Sequence, residues 1–187
     1  MRDRGMDALA GLYTSIGLDV VRFNFLYREK KSSRPDPMPR LQECTVAVVE
    51  RVRAELNPAR LIIGGRSMGG RAASMLAAEG FAVDALLLLA YPLHPPGRFD
   101  KLRDAHLPSI RMPVLCVNGT RDDFCRRDLM EAVLQRVGAN FTMHWLDGAD
   151  HSFHVLTSSG RNDAAVLDEI GATSRDWLAS LKPLDTM

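Results

Sequence analysis

The segment Gly65-Arg66-Ser67-Met68-Gly69 has the pattern G-x-S-x-G, in which a serine on a tight turn can present its hydroxyl as a nucleophile. A serine hydroxyl attacks poorly until a neighbouring base accepts its proton. That base in turn needs a carboxylate to fix its tautomer and stabilise its charged form. The spacing therefore calls for an acid and a histidine later in the chain, in the order Ser, Asp or Glu, His. Gly119-Thr120-Arg121-Asp122 and Asp150-His151-Ser152-Phe153 supply them. Asp122 is the favoured acid from its spacing after Gly119. An Asx turn at Asp122, with Asp123 as the acid, is the competing reading. His151 is preferred over His94, His106, His144 and His154 because it follows the last expected strand. His144 falls inside a strand, and His106 precedes Leu107-Pro108 in a surface connection. Ser67 could instead serve only as a helix N-cap, a common role for serine. Glycines 65 and 69 are expected to be required because a Cβ at either would crowd the turn.

These residues need strands that end beside one another. Leu61-Ile62-Ile63 is a short apolar run before the turn, and Met68 to Ala78 is an alanine-rich helix after it. Ala85 to Ala90 and Val114 to Val117 are continuous apolar runs, as in parallel strands covered on both faces, and Phe141 to Leu146 is a further strand. Helices are expected over Met6–Ile16, Leu41–Leu56, Arg126–Val137 and Ala164–Leu181. The β-branched and aromatic run Leu18 to Phe25 reads as another strand, before a loop with three prolines between Ser32 and Pro39. The alternation predicts one α/β domain over 1–187, with a doubly wound, mostly parallel sheet of about five strands. Ser67, Asp122 and His151 then sit at carboxyl ends of strands, where open α/β sheets place their sites.

Composition narrows the partners. The 187 residues carry 24 basic and 23 acidic side chains, a net charge of +1, so no field steers the protein to nucleic acid or an anionic membrane. Cys44, Cys116 and Cys125 are odd in number and widely spaced, which fits free thiols and a cytoplasmic location. No run approaches the roughly 18 apolar residues of a membrane span, and the first residues carry no apolar leader core. His151 and His154 are three apart, but no third ligand cluster accompanies them, so neither a metal nor an organic cofactor is expected.

Five segments together carry a family resemblance: Val21 to Phe25, Ile63 to Arg71, Tyr91-Pro92-Leu93-His94-Pro95-Pro96-Gly97, Asn118 to Asp122, and Asp150 to Phe153. Through them the chain resembles the dienelactone-hydrolase-related α/β-hydrolases, whose domain also occurs in a testis-expressed vertebrate protein and a chromatin acetyltransferase subunit. The resemblance implies Ser67 as nucleophile, Asp122 as acid and His151 as base, acting on a small acyl compound such as an ester or thioester. It also implies Met68 N–H as one oxyanion donor. Arg66 and the His94 loop are expected at the substrate pocket, although a proline-stiffened structural turn explains His94 equally well. Members of the family have further strands and a Gly-rich loop before the first helix, and that loop supplies the second oxyanion donor. Here Met1-Arg2-Asp3-Arg4-Gly5 leaves only Gly5 of it. Loss of one such donor costs about 2.7 to 4 kcal/mol, roughly 100- to 1,000-fold in rate. Exposed strand edges would then favour a homo-oligomer. Besides the hydrolase, two readings stay open: a non-catalytic interaction module on the same scaffold, and an inactive fragment from a misassigned start.

Overall fold

The computed structural model describes residues 4–181, so Met1, Arg2 and Asp3 of the expected loop remnant lie outside the described residues. The chain divides into two units, 1–59 and 60–187.

The first unit is helical. Helix α1 (Arg4–Ser15) buries Leu9 and Tyr13, four apart on one face, and stops where Gly17 turns to φ 95°. A single turn, α2 (Leu26–Glu29), precedes α3 (Met38–Leu56). Asn57 ends α3 in the left-handed region at φ 41°, its N–H donating to Arg53 O. The expected strand Leu18–Phe25 does not form, which corrects the count of five. A β-rich composition describes side chains that suit a pleated, half-buried surface, but a strand exists only where a neighbour takes its backbone hydrogen bonds. Here Val21 is 51% and Phe23 40% exposed, with Arg22 paired to Asp7 at 2.7 Å.

The second unit holds the sheet. Four strands, β1 (Ile62–Arg66), β2 (Ala85–Leu89), β3 (Val114–Gly119) and β4 (Phe141–Leu146), lie in the order β1-β2-β3-β4, and every pair is parallel. The parallel register lines up Arg66 with Leu89, Leu89 with Val117, and Gly119 with Leu146, so the strands finish at one rim. Helix α4 (Met68–Ala78) packs on β1 and β2 through Ala72, Ala73, Leu76 and Ala77. Small side chains there let helix and sheet approach closely. Helix α5 (Arg127–Leu134) joins β3 to β4, and α6 (Asp163–Ser180) packs on β3 and β4. All six positions of β3 are buried, which requires cover on both faces and accounts for its unbroken apolar run. Asn162 caps α6, its side chain accepting from Ala165 N–H. No described helix is long and apolar enough to cross a membrane.

Candidate active site

Ser67 lies between the end of β1 and the first residue of α4. Its backbone is at φ 54°, ψ −117°, a region costly for a residue with a side chain, about 1–3 kcal/mol. The surroundings hold it there: its N–H donates to Leu89 O at 2.8 Å, and its carbonyl accepts from Arg71 N–H at 3.0 Å. Ser67 occupies the N-cap position, yet its side chain caps nothing. The hydroxyl is turned instead to His151, with Oγ 2.8 Å from Nε2. Of the two glycines expected to be essential, Gly65 is so, with φ 155° and a Cβ that would stand 3.1 Å from Gly69 C. Gly69 is not, since a Cβ there meets nothing within 4 Å. The crowded position is Gly70, where a Cβ would stand 2.6 Å from Gly65 O.

Asp122 follows β3, and its side chain is fully buried. Both carboxylate oxygens lie 2.9 Å from His151 Nδ1. Oδ1 also accepts Phe124 N–H at 2.8 Å, and Oδ2 accepts Asn118 Nδ2–H at 3.2 Å. The Asx turn therefore exists, and the same carboxylate faces the histidine. Asp123 is exposed, and the carboxylate oxygens at His151 Nδ1 are both those of Asp122. Asn118 is a support that the sequence reading missed. Fully buried, it also accepts Tyr91 N–H and donates to Tyr91 O. Its signal was a polar residue closing an otherwise apolar strand.

His151 projects from the loop after β4. Asp150 shapes that loop, its Oδ1 accepting Ser152 and His154 N–H, and Phe153 turns the backbone at φ 66°. Gly119 lets the Asp122 and His151 loops meet, because a Cβ there would stand 2.0 Å from Ala149 O. The Phe124 ring lies 4.3 Å from the imidazole, centre to centre. Since Asp122 can only accept, Nδ1 carries the proton and Nε2 is free to receive one from Ser67. The geometry can thus pass a proton from a hydroxyl to an imidazole and stabilise the cation formed. Burial pushes the thiols of Cys116 and Cys125 well above their usual range, so neither competes as a nucleophile at neutral pH.

A cavity of about 590 Å³ lies beside the acid, walled by Pro96, Gly97, Phe99, Arg126 and Asp123 among others. Such a volume suits a small ligand. The loop after β2 lines this cavity through Pro96, Gly97 and Phe99, while Ser67, Arg66 and His94 are not in its lining. His94 itself is fully buried, with both ring nitrogens engaged by the main chain, and offers nothing to a substrate. Arg66 closes β1 and is partly exposed, while Met68 opens α4, where a backbone N–H has no acceptor within the helix. Gly5 lies in the first turn of α1, in the first unit. The other histidines have local partners. His144 Nε2 lies 2.8 Å from Glu169, and His154 Nδ1 lies 3.0 Å from Asp163. His106 is half-buried against Ser74 Oγ at 2.8 Å rather than out in a surface connection.

A family profile described as an alpha/beta hydrolase domain matches residues 1–179. The chain belongs to that family. Solved α/β-hydrolase structures agree in fold. An alpha-beta serine hydrolase homologue from Coxiella burnetii is 21% identical, with TM-score 0.73, over 97% of this chain and 78% of that one. A lidless a/b serine hydrolase from Xanthomonas campestris is 22% identical, with TM-score 0.72, over 100% and 77%. A dienelactone hydrolase from Anabaena variabilis is 17% identical, with TM-score 0.68, over 96% and 80%. At these identities the likeness establishes the α/β-hydrolase fold.

Proposed function

We propose that this α/β-hydrolase cleaves small esters, thioesters or related acyl compounds through an acyl-enzyme on Ser67. One observation carries the reading: Ser67 Oγ, His151 and Asp122 stand in hydrogen-bonding sequence at 2.8 and 2.9 Å. As Oγ bonds to the substrate carbonyl carbon, its proton passes to Nε2 and the carbonyl π electrons move onto oxygen. Asp122 stabilises the imidazolium. Met68 N–H donates to the oxyanion, aided by the positive end of α4. Collapse of the tetrahedral species expels the alcohol or thiol, which takes the proton from Nε2. Water, deprotonated by the same nitrogen, then releases the acid and restores Ser67. No step calls for a metal or an organic cofactor. The buried, unlinked thiols of Cys116 and Cys125 support a reducing, cytoplasmic setting.

A fluorophosphonate probe tests the reading, since phosphonylation needs only an activated serine. Wild-type protein is expected to label and Ser67→Ala to remain unlabelled. Folded wild type that fails to label refutes it and leaves the non-catalytic module.

A further inference from the structure

His94 is the most deeply buried histidine of the second unit, 0% exposed, yet it takes no part in the relay. Two of its contacts fall on the turn that carries Asp122. The backbone N–H of His94 donates to Phe124 O at 3.0 Å. Its Nε2 accepts Arg126 N–H at 3.0 Å, and its Nδ1 lies 3.0 Å from Pro95 O. A main-chain N–H can only donate and a carbonyl can only accept, so the ring must carry its proton on Nδ1. One residue therefore grips the turn 122–126 at two points, Phe124 O and Arg126 N. The first of those points is on Phe124 itself, whose N–H fixes Asp122 Oδ1 and whose ring rests on His151. On its other side the His94 ring meets Phe99, a wall of the cavity, edge-on at 5.2 Å.

We propose that His94 is a positioning residue, whose Nδ1–H imidazole holds the Asp122–Arg126 turn so that the carboxylate and the Phe124 ring both bear on His151. The proposal rests on the reading of Ser67, His151 and Asp122 as one relay. It acts through the acid and not on the substrate. A buried polar ring with every polar atom paired has one low-energy placement, whereas an apolar filler would leave Arg126 N–H orphaned and the turn free to shift.

The test uses two readouts on the full chain. One is the rate of fluorophosphonate labelling. The other is the far-downfield proton resonance of His151 Nδ1–H, seen only while a carboxylate shields it from exchange and assigned by its loss in His151→Ala. His94→Asn keeps a donor near Pro95 O but is too short to reach Arg126 N–H, whereas the amide oxygen of His94→Gln can reach it. In His94→Asn, labelling is expected to slow about 10- to 100-fold, the scale of a misplacement near 1 Å, and the His151 resonance to vanish by exchange. His94→Gln is expected to restore both. Folded His94→Asn with unchanged labelling and an unchanged resonance overturns the proposal. If His94→Asn fails to fold, His94→Phe keeps a buried ring and removes only the ring's polar atoms, the acceptor of Arg126 N–H among them. Survival of the resonance in that variant is equally fatal. The resonance needs no turnover, so unlabelled wild type would defeat the hydrolase reading while His94 is still decided.

Discussion

Gly69 and Gly70 are neighbours in the first turn of α4, and the same chemical change at each should have opposite effects. At Gly70 an added Cβ would stand 2.6 Å from Gly65 O, against 3.4 Å for ordinary contact, so 3.4 − 2.6 = 0.8 Å of movement is needed. The obstacle is backbone, not a side chain that can swing aside. It belongs to a residue held in register with Leu88. Overpacking of this kind costs about 1–3 kcal/mol, and the better helix propensity of alanine returns roughly 1 kcal/mol. Gly70→Ala should therefore lose up to about 2 kcal/mol. Gly69→Ala meets nothing and should gain about 0.5–1 kcal/mol. Both tryptophans, Trp145 and Trp177, belong to the unit that contains the turn, so urea unfolding followed by their fluorescence reports on it directly. The displaced turn should also slow fluorophosphonate labelling of Gly70→Ala by about 100-fold. If Gly69→Ala is at least as destabilising as Gly70→Ala, the account of the turn is wrong.

Asp122→Asn should lower the ester-hydrolysis rate by about 10³- to 10⁴-fold, because an amide can present a donor where the imidazole needs an acceptor. Asp123→Asn should cost far less, because the carboxylate at Nδ1 of His151 is that of Asp122, and equal losses at the two positions would return the acid assignment to doubt. Gly119→Ala would drive a Cβ to 2.0 Å from Ala149 O, and should be seen by circular dichroism and labelling as loss of the folded site rather than a slower enzyme. His106 gives a pH signature. Burial first, and the charge of Arg71 second, push its pKa down from 6.5 to about 4. Its folded pKa lies below the unfolded one, so the unfolded chain binds the extra proton, and stability present above pH 6.5 drains as pH falls toward 4. From pH 7 to 5 the linkage is about 2 kcal/mol, cut to roughly 1 kcal/mol because the ring is partly exposed. Urea midpoints should show wild type falling by that much more than His106→Gln, and parallel declines would remove His106 from the account.

Much of the second unit was legible because its signals are local and strong. The alanine-rich run gave α4 as Met68–Ala78, and the Phe141 to Leu146 run gave β4, each at the bounds observed. The relay was legible from chain order and from position after strands, since a parallel sheet must bring those ends to one rim. Leu18–Phe25 was misread because pairing is a property of a neighbour, not of the segment. Gly69 was mistaken for Gly70 because sequence tells which residues are small but not which backbone they approach. For the same reason the sequence leaves His94 open between the pocket and a structural turn. The sequence places it on the right loop, but whether the ring turns outward or beneath that loop is decided by Arg126 N–H, which donates to Nε2 from 32 residues further along the chain.

Asn118 and Phe124 N–H hold the Asp122 carboxylate and His94 holds Arg126 N–H in a turn that also lines the cavity, whereas Pro96, Gly97 and Phe99 line it from a different loop. A laboratory seeking new substrates for this scaffold should randomise the outer part of that loop and leave residues 118 to 126 untouched. On the proposed hydrolase reading, substrate preference could then drift across a library while the Ser67, His151 and Asp122 geometry stays the same from clone to clone.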